Sequence, residues 1–356
     1  MNTTILDALG IHVGECEITP IGNGLINHTW KIETNNEAYI LQKINHHVFK
    51  HPEYIDRNIN HINTFLQQHF PDYLFLSPLQ NKSGHSLFRS VEGEYFRLFT
   101  FVQNSFTFTT VNTTRLAFEA AAQFAKFTRL LSGFLQEQLK ETIPHFHNLQ
   151  YRFTEFETAI KNGNPQRITA SAKYIDALYE HQPIANLFVQ LQQDASFKKR
   201  VMHHDTKISN VLFNADEKGI CVIDLDTVMP GYFISDVGDM LRTYVCPVNE
   251  EETDFDKIVI REDYFRAIVS GYLKEMRYEL TPTELAHFIY AGKFMIYMQS
   301  LRFLTDYLNN DIYYGRQYEQ HNLNRALNQL RLLKELIKKE SILEQIVRQE
   351  AGYANV

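Results

Sequence analysis

At 356 residues with 44% hydrophobic content, the chain can build one large two-lobed domain or two modest ones, each with a full core. A formal net charge of −7 argues against a general nucleic-acid binder, which presents a basic face. The three cysteines, Cys16, Cys221 and Cys246, contain no C-x-x-C pair. They suggest neither a disulfide framework nor a zinc site, and they fit a reduced compartment.

The segment Met1-Asn2-Thr3-Thr4-Ile5 has no basic region and no long apolar core, so no signal peptide is expected. No stretch reaches the apolar length of a membrane span. The expected location is therefore cytoplasmic, with no membrane partner. Internal repeats and low-complexity segments are absent.

To about residue 100 the chain reads mainly as β-structure. Ile18 to Gly24 leads into Ile26 to Glu33, where apolar and polar residues alternate as on a half-buried strand. Asn35-Asn36 marks a turn, and Ala38 to Ile44 is the returning strand. Gly22 and Gly24 lie in the first turn, where glycine can let a backbone approach phosphates; a plain hairpin turn is the competing reading. Pro52 to about Phe70 carries Ile55, Ile59, Ile62 and Leu66 at helical spacing. Leu87 to Ser90 and Tyr95 to Val102 form another hairpin through Glu92-Gly93, and the second strand runs into Gln103-Asn104-Ser105.

From Asn112 the pattern is helical. Asn112 or Thr113 can cap a helix bearing Leu116, Phe124, Phe127 and Leu131, which Gly133 stops. Further helices are expected over about 149–161, 165–179, 183–197, 282–307 and 320–340. The charged run Lys334 to Arg348 has mixed signs and reads as a solvated helix face.

A hairpin interrupts this helical half. In Met202-His203-His204-Asp205-Thr206-Lys207-Ile208-Ser209-Asn210 an Asp precedes an Asn by five positions. The apolar run Val211-Leu212-Phe213 follows, and then Cys221-Val222-Ile223-Asp224-Leu225-Asp226, a strand ending in carboxylates. This is the layout of a kinase catalytic loop, H-R-D-x-x-x-x-N, and its metal-binding strand. Phosphoryl transfer needs one carboxylate facing the incoming hydroxyl and oxygen ligands for Mg²⁺. Asp205 is the candidate for the first role, and Asn210 and Asp224 for the second. A β-hairpin with polar ends is the structural alternative.

The runs His204-Asp205-Thr206-Lys207-Ile208-Ser209-Asn210 and Val222-Ile223-Asp224-Leu225-Asp226-Thr227-Val228-Met229-Pro230-Gly231 resemble the aminoglycoside phosphotransferase superfamily. Within it they look most like the N-acetylhexosamine 1-kinases. Tyr39 to Asn45, Gly24 to Thr29 and Leu301 to Tyr314 carry the same resemblance.

It implies an α+β, bilobal protein-kinase-like fold, with a β-rich N-lobe over 1–103 and a mostly helical C-lobe over 104–356. It also implies ATP and Mg²⁺ as cofactors and phosphorylation of the anomeric C1 hydroxyl of an N-acetylhexosamine. By the same resemblance Lys43 would meet the non-transferred phosphates, and the strand end near Phe101 to Gln103 would bond adenine through its backbone. Asn27, His28, Arg302 and Tyr313 would contact the sugar; Leu25 stands where a polar residue is expected. Asp226 would serve a second metal or the sugar, and Asp236 would brace the catalytic loop. Glu53 and Asp56 are the acids available on the first helix to pair with Lys43, and Arg57 holds the place expected for one. Asp239 and Arg242 can equally cap and charge a helix. The implied partner is a small sugar, with the chain a monomer or weak dimer.

Other acceptors fit the generic motif: choline, homoserine, another sugar or an aminoglycoside. A nucleotide or sugar sensor of the same fold would lack turnover, yet Asp205, Asn210 and Asp224 are all present. Reading Asp224 and Asp226 as paired hydrolase carboxylates leaves the Asp205–Asn210 spacing unexplained. A metal site on His203, His204 and Asp205 lacks further ligands at a recognisable spacing, so His203 reads as a packed or supporting residue.

Overall fold

Alternating side chains in the first part of the chain produce β1 (Glu17–Pro20), β2 (His28–Glu33), β3 (Ala38–Ile44), β4 (Phe88–Arg89) and β5 (Tyr95–Thr100). The computed structural model describes residues 6, 11, 16–21, 26–81 and 83–352. The glycine turn with Gly22, Gly24 and Leu25 lies outside the described residues.

The strands form one antiparallel sheet in the order β1-β2-β3-β5-β4. Its register fixes its two faces, because directly paired residues point the same way. Trp30 pairs with Leu41 and Leu41 with Leu98, and with Ile32, Phe88 and Phe96 they build a small core on one face. Thr29 pairs with Gln42 and Gln42 with Arg97, on the other face.

Helix α1 (Pro52–His69) leaves the sheet after β3 and has proline in its first turn, where the missing N–H costs nothing. Its Asn58 side chain donates to Lys140 O at 2.8 Å and Val228 O at 3.0 Å, and accepts from Lys140 N–H at 2.8 Å. These bonds tie α1 to the helical half. After β5 the chain crosses over: Phe106 and Phe213 exchange two backbone hydrogen bonds of 2.8 Å.

The helical lobe begins with α2 (Thr114–Leu130), capped by the Thr113 side chain on Leu116 N–H at 3.2 Å. There follow α3 (Leu149–Asn162), α4 (Pro165–Ala170), α5 (Ala172–Tyr179) and α6 (Gln182–Gln193). Two small antiparallel sheets come next, built from β6 (Lys199–Met202), β7 (Val211–Phe213), β8 (Gly219–Val222) and β9 (Met229–Tyr232). β6 pairs with β9, and β7 with β8. The chain ends in α7 (Phe233–Tyr244), α8 (Glu262–Met276), α9 (Pro282–Ala286), α10 (Phe288–Leu308), α11 (His321–Lys338) and α12 (Glu340–Glu350). α10 is buried along most of its length and forms the axis of the larger core.

The result is the expected bilobal α+β fold, with two helices divided where periodicity predicts one, while the helix expected over about 320–340 is α11, capped at Lys339. Ser171 separates α4 from α5, and His287 separates α9 from α10. The last break has a visible cause. Thr281 and Glu284 make a reciprocal capping box, and the buried Glu284 carboxylate also binds Arg200 of β6 and accepts Lys198 N–H at 3.0 Å. That anchoring fixes the direction of α9 independently of α10.

Candidate active site

The β7–β8 hairpin and the loop before it bring the motif residues together. Asn210 ends a single 3₁₀ turn (Ile208–Asn210). Its amide nitrogen donates to Asp205 Oδ2 at 3.1 Å and to Asp205 O at 2.9 Å. Those bonds turn the Asn210 carbonyl oxygen away from Asp205. Ile223 N–H then donates to Asn210 O at 2.9 Å, carrying the hairpin pairing one residue further and bringing Asp224 alongside. Asp224 has φ 58° and His204 φ 66°, a left-handed conformation that is costly for non-glycine residues and is maintained only by surrounding contacts.

Those contacts come mostly from α7. The Asp236 carboxylate accepts His203 N–H at 3.0 Å and His204 N–H at 2.8 Å. Asp239 accepts Thr206 N–H at 2.9 Å, and Thr206 Oγ1 donates to Asp236 O at 2.9 Å. The Tyr244 hydroxyl donates to Thr206 O. Asp236 and Asp239 are one helical turn apart, so a single helix face grips successive residues of the catalytic loop. Arg242 holds Asp239 at 3.1 Å and Glu250 at 2.6 Å, and Glu250 also pairs with Arg325 of α11. Asp239 and Arg242 thus belong to this brace; they do more than charge a helix.

Two buried histidines complete it. His203 Nδ1 accepts Asp205 N–H at 3.3 Å and its Nε2 lies 2.9 Å from Ile223 O. Because a carbonyl can only accept, Nε2 carries the proton. His203 therefore links the catalytic loop to the residue before Asp224, which is the supporting role read from the sequence. His204 Nδ1 faces the carbonyls of Met202 at 3.2 Å and Thr227 at 3.1 Å. Its Nε2 lies so close to Gly231 that a Cβ there would come within 2.3 Å, which explains the glycine in the run Met229-Pro230-Gly231. Burial pushes the His204 imidazole down to about 4, so it stays neutral.

The carboxylates differ sharply in their surroundings. Asp224 opens to the surface on one side but is otherwise closely enclosed. That enclosure, with Asp226 and Asp205 nearby, raises it to about 7. Burial also raises Asp236 to about 7, against the pull of its two backbone N–H donors. Burial would raise Glu250 too, but Arg242 and Arg325 outweigh it and hold the carboxyl at about 2.

Asp224 and the Asn210 carbonyl offer oxygen donors beside an excess of negative charge, a setting that suits Mg²⁺. Among the described residues no group of three His, Cys, Asp or Glu is placed to hold a metal. An ion here would thus rely on a few protein oxygens together with phosphate, as Mg²⁺ commonly does.

The structure gives several of the other sequence candidates protein partners. Asp226 is one of them. It is buried, ion-paired with Arg97 of β5, and accepts the Asn27 amide at 2.7 Å. Asn27 accepts Asn45 N–H at 3.0 Å as well, so both of these residues join the lobes. Lys43 pairs with Phe96 in the register, on the sheet face away from Gln42 and Arg97. Its ammonium binds Glu94, before β5, at 2.9 Å. The helix acids are engaged elsewhere: Glu53 with His51 at 2.9 Å and Asp56 with Ser86 at 2.5 Å. His28 shares the face of Lys43 and Trp30, is exposed, and lies 6.1 Å from the Trp30 ring. At the strand end, Phe101 N–H is bonded to Ala38 O at 2.9 Å, so it is not available to adenine. Gln103 is exposed just beyond.

Arg302 and Tyr313 are brought together. The Arg302 guanidinium lies 5.6 Å from the Phe146 ring, 5.8 Å from Tyr313 and 5.5 Å from Tyr314. His147 follows Phe146, and its ring is 5.3 Å from that of His204, next to Asp205. Burial, with His204 and Arg302 nearby, pushes His147 well below the usual imidazole range. Phe146 and His147 were not singled out from the sequence, since they lie in a segment with no motif; Tyr314 ends the Leu301 to Tyr314 run but was given no role there, and only folding gathers the three. Lys207 was also passed over, although it stands inside the motif. Its ammonium is 3.4 Å from Asp205 Oδ1.

The fold has close counterparts among solved structures. An aminoglycoside phosphotransferase from Alicyclobacillus acidocaldarius superposes with a TM-score of 0.59 at 12% identity, covering 94% of this chain and 93% of its own. A choline kinase from Cryptosporidium parvum gives 0.57 at 14% identity, over 95% and 94%. Amicoumacin kinase hAmiN, solved with AMP-PNP, Ca²⁺ and Ami, gives 0.60 at 12% identity, over 95% and 93%. At such identities the likeness concerns the fold alone. Residues 17–263 match the family described as the phosphotransferase enzyme family, APH; that span contains the sheet, the hairpin and the bracing helix, and the chain belongs to this family.

Proposed function

We propose that the chain transfers the γ-phosphoryl group of ATP to the anomeric C1 hydroxyl of an N-acetylhexosamine. Asp205 orients that hydroxyl and accepts its proton. The hydroxyl oxygen bonds to the γ-phosphorus while the bond to the β–γ bridging oxygen breaks, and ADP leaves. Asn210 fixes the Asp205 carboxylate through the 3.1 Å bond, which supports a near-attack geometry. Lys207, beside Asp205, offsets charge on the phosphoryl oxygens in transit. Asn210 and Asp224 hold Mg²⁺, which neutralises phosphate charge when bound.

The observation that carries the acceptor class is an arginine in an aromatic cluster that reaches the loop through His147, whose ring is 5.3 Å from that of His204. Arg302 sits there among three aromatic rings. Several surrounding acids are paired with arginines: Asp239 with Arg242, Glu250 with Arg242 and Arg325, and Asp226 with Arg97. A cationic acceptor such as choline or an aminoglycoside would meet an arginine. A neutral sugar would meet a fork of donors for its hydroxyls or acetamido carbonyl, with aromatic faces for its ring. The resemblance of the hairpin and of Leu301 to Tyr314 to the N-acetylhexosamine 1-kinases points the same way.

The test is ATP consumption with Mg²⁺ against N-acetylglucosamine, N-acetylgalactosamine, glucose, galactose, choline, homoserine and an aminoglycoside. Phosphorus NMR then locates the new phosphate. The expected product carries it on C1 of an N-acetylhexosamine, and Asp205→Ala abolishes it. Preferred turnover of a cationic acceptor would refute the sugar assignment.

A further inference from the structure

The sheet above the cleft lacks a lysine where the phosphates would need one. Gln42, not Lys43, projects from β3 on the face that meets the metal strand. The other strand cations are accounted for. Lys31 pairs with Glu33 at 2.8 Å and lies 4.6 Å from the Phe101 ring. Arg89, at the sheet edge, stacks on Tyr95 at 5.5 Å.

Arg97 is different. It stands directly opposite Gln42 in the register and is 2% exposed. Its Nε donates to Gln42 Oε1 at 3.1 Å, and its Nη2 donates to Asp226. Its Nη1 is buried with no hydrogen-bond partner. A buried cationic N–H without an acceptor is unfavourable and rare, and the planar guanidinium fork suits phosphate oxygens. Asp226 is two positions from Asp224, so the guanidinium is held to the turn after β8 that would carry the metal.

We propose that Arg97, not Lys43, is the phosphate-facing cation of the sheet. Its Nη1 donates to an oxygen of the nucleotide's non-transferred phosphates, while Nη2 retains Asp226. Gln42 positions the guanidinium and has no direct part in phosphate binding. The assignment rests on the nucleotide-dependent reading above, but it is independent of the acceptor.

Calorimetric binding of Mg²⁺–ADP and of adenosine tests it without requiring turnover. The double variant Arg97→Met/Asp226→Asn keeps the local net charge and nearly the same volume. It should lose about tenfold or more in ADP affinity, the worth of a charged hydrogen bond, with adenosine affinity little changed. Arg97→Lys, which keeps the charge but not the fork, should fall between; it serves alone if the double variant does not fold. Lys43→Ala should bind both ligands like the native chain. The proposal is overturned if Lys43→Ala loses ADP selectively. It is overturned equally if the Arg97 variants keep ADP affinity, or lose ADP and adenosine alike, as a merely structural role would require. If the native chain binds no ADP at all, the nucleotide reading falls and takes this one with it; native binding combined with unaffected Arg97 variants sinks this one alone.

Discussion

Single side chains decide the chemistry, and their spacing announces some of them better than others. Asp205 and Asn210 are readable because a loop of fixed length must turn both into one cleft. Lys43 faces away from Gln42 and Arg97, because successive strand residues point to opposite faces and an offset of one position reverses the face. Arg97 gives no local signal at all, since its partner Asp226 is 129 positions away. For Asp205 the expectation is specific. Asp205→Asn keeps the shape and removes the base. Its turnover number should fall by about 10²–10⁴-fold, the usual worth of a positioned base, while ADP binding persists. Steady-state kinetics beside calorimetry checks this, and near-native turnover would remove Asp205 from its role.

Among the elements, α7 contributes most to the site. The family resemblance marks Asp236 as a brace, while Asp239 and Arg242 could have been ordinary helix charges. Only the fold shows that the Asp236 and Asp239 carboxylates replace the hydrogen bonds that the irregular loop cannot make with itself. Two helix lengths were overread for a related reason: apolar periodicity continues across Ser171 and His287, while before His287 a capping box and a buried ion pair redirect the backbone. The position of α7 depends on close contact with α10. A Cβ on Gly238 would come within 2.3 Å of Ala291 O and 2.8 Å of Met295 Cβ. Gly238→Ala should therefore push the helices apart and cost about 1–3 kcal/mol, as overpacking does. Thermal unfolding should show a lower Tm, and kcat should fall with it because Asp236 and Asp239 move. An unchanged Tm would mean that the interface yields freely.

The whole molecule should register its buried histidines as a pH response. His204 titrates at about 4 when folded and near 6.5 when unfolded. The unfolded chain binds the extra proton, so this contribution to stability is complete above pH 6.5 and is lost as pH falls toward 4. Asp224 and Asp236, raised to about 7, act in the opposite sense: their shifts favour folding below their usual range, and that benefit fades as pH rises to 7. A difference measurement separates the two. Asn tolerates the left-handed backbone at position 204, so His204→Asn is a suitable reference. The stability advantage of the native chain over this variant should shrink by up to ~3 kcal/mol between pH 7.5 and pH 4. A gap that does not change with pH would show that folding does not lower the His204 pKa. Long-range pairing was the part of the molecule hardest to read from the sequence, because burial and partner choice emerge only after the two lobes meet.

The turn after α10 has its main chain secured and its side chains largely exposed. Asp306 accepts the N–H groups of Tyr313 at 2.7 Å and Tyr314 at 2.9 Å, bonds that any residue except proline can supply. Ile312 and Tyr313 themselves are 82% and 65% exposed. The backbone bonds that hold this turn are thus independent of side-chain identity at these two positions, although the Tyr313 ring also lies 5.8 Å from Arg302. A lineage, or a combinatorial library, could rewrite acceptor choice there without rebuilding the machinery that moves phosphate.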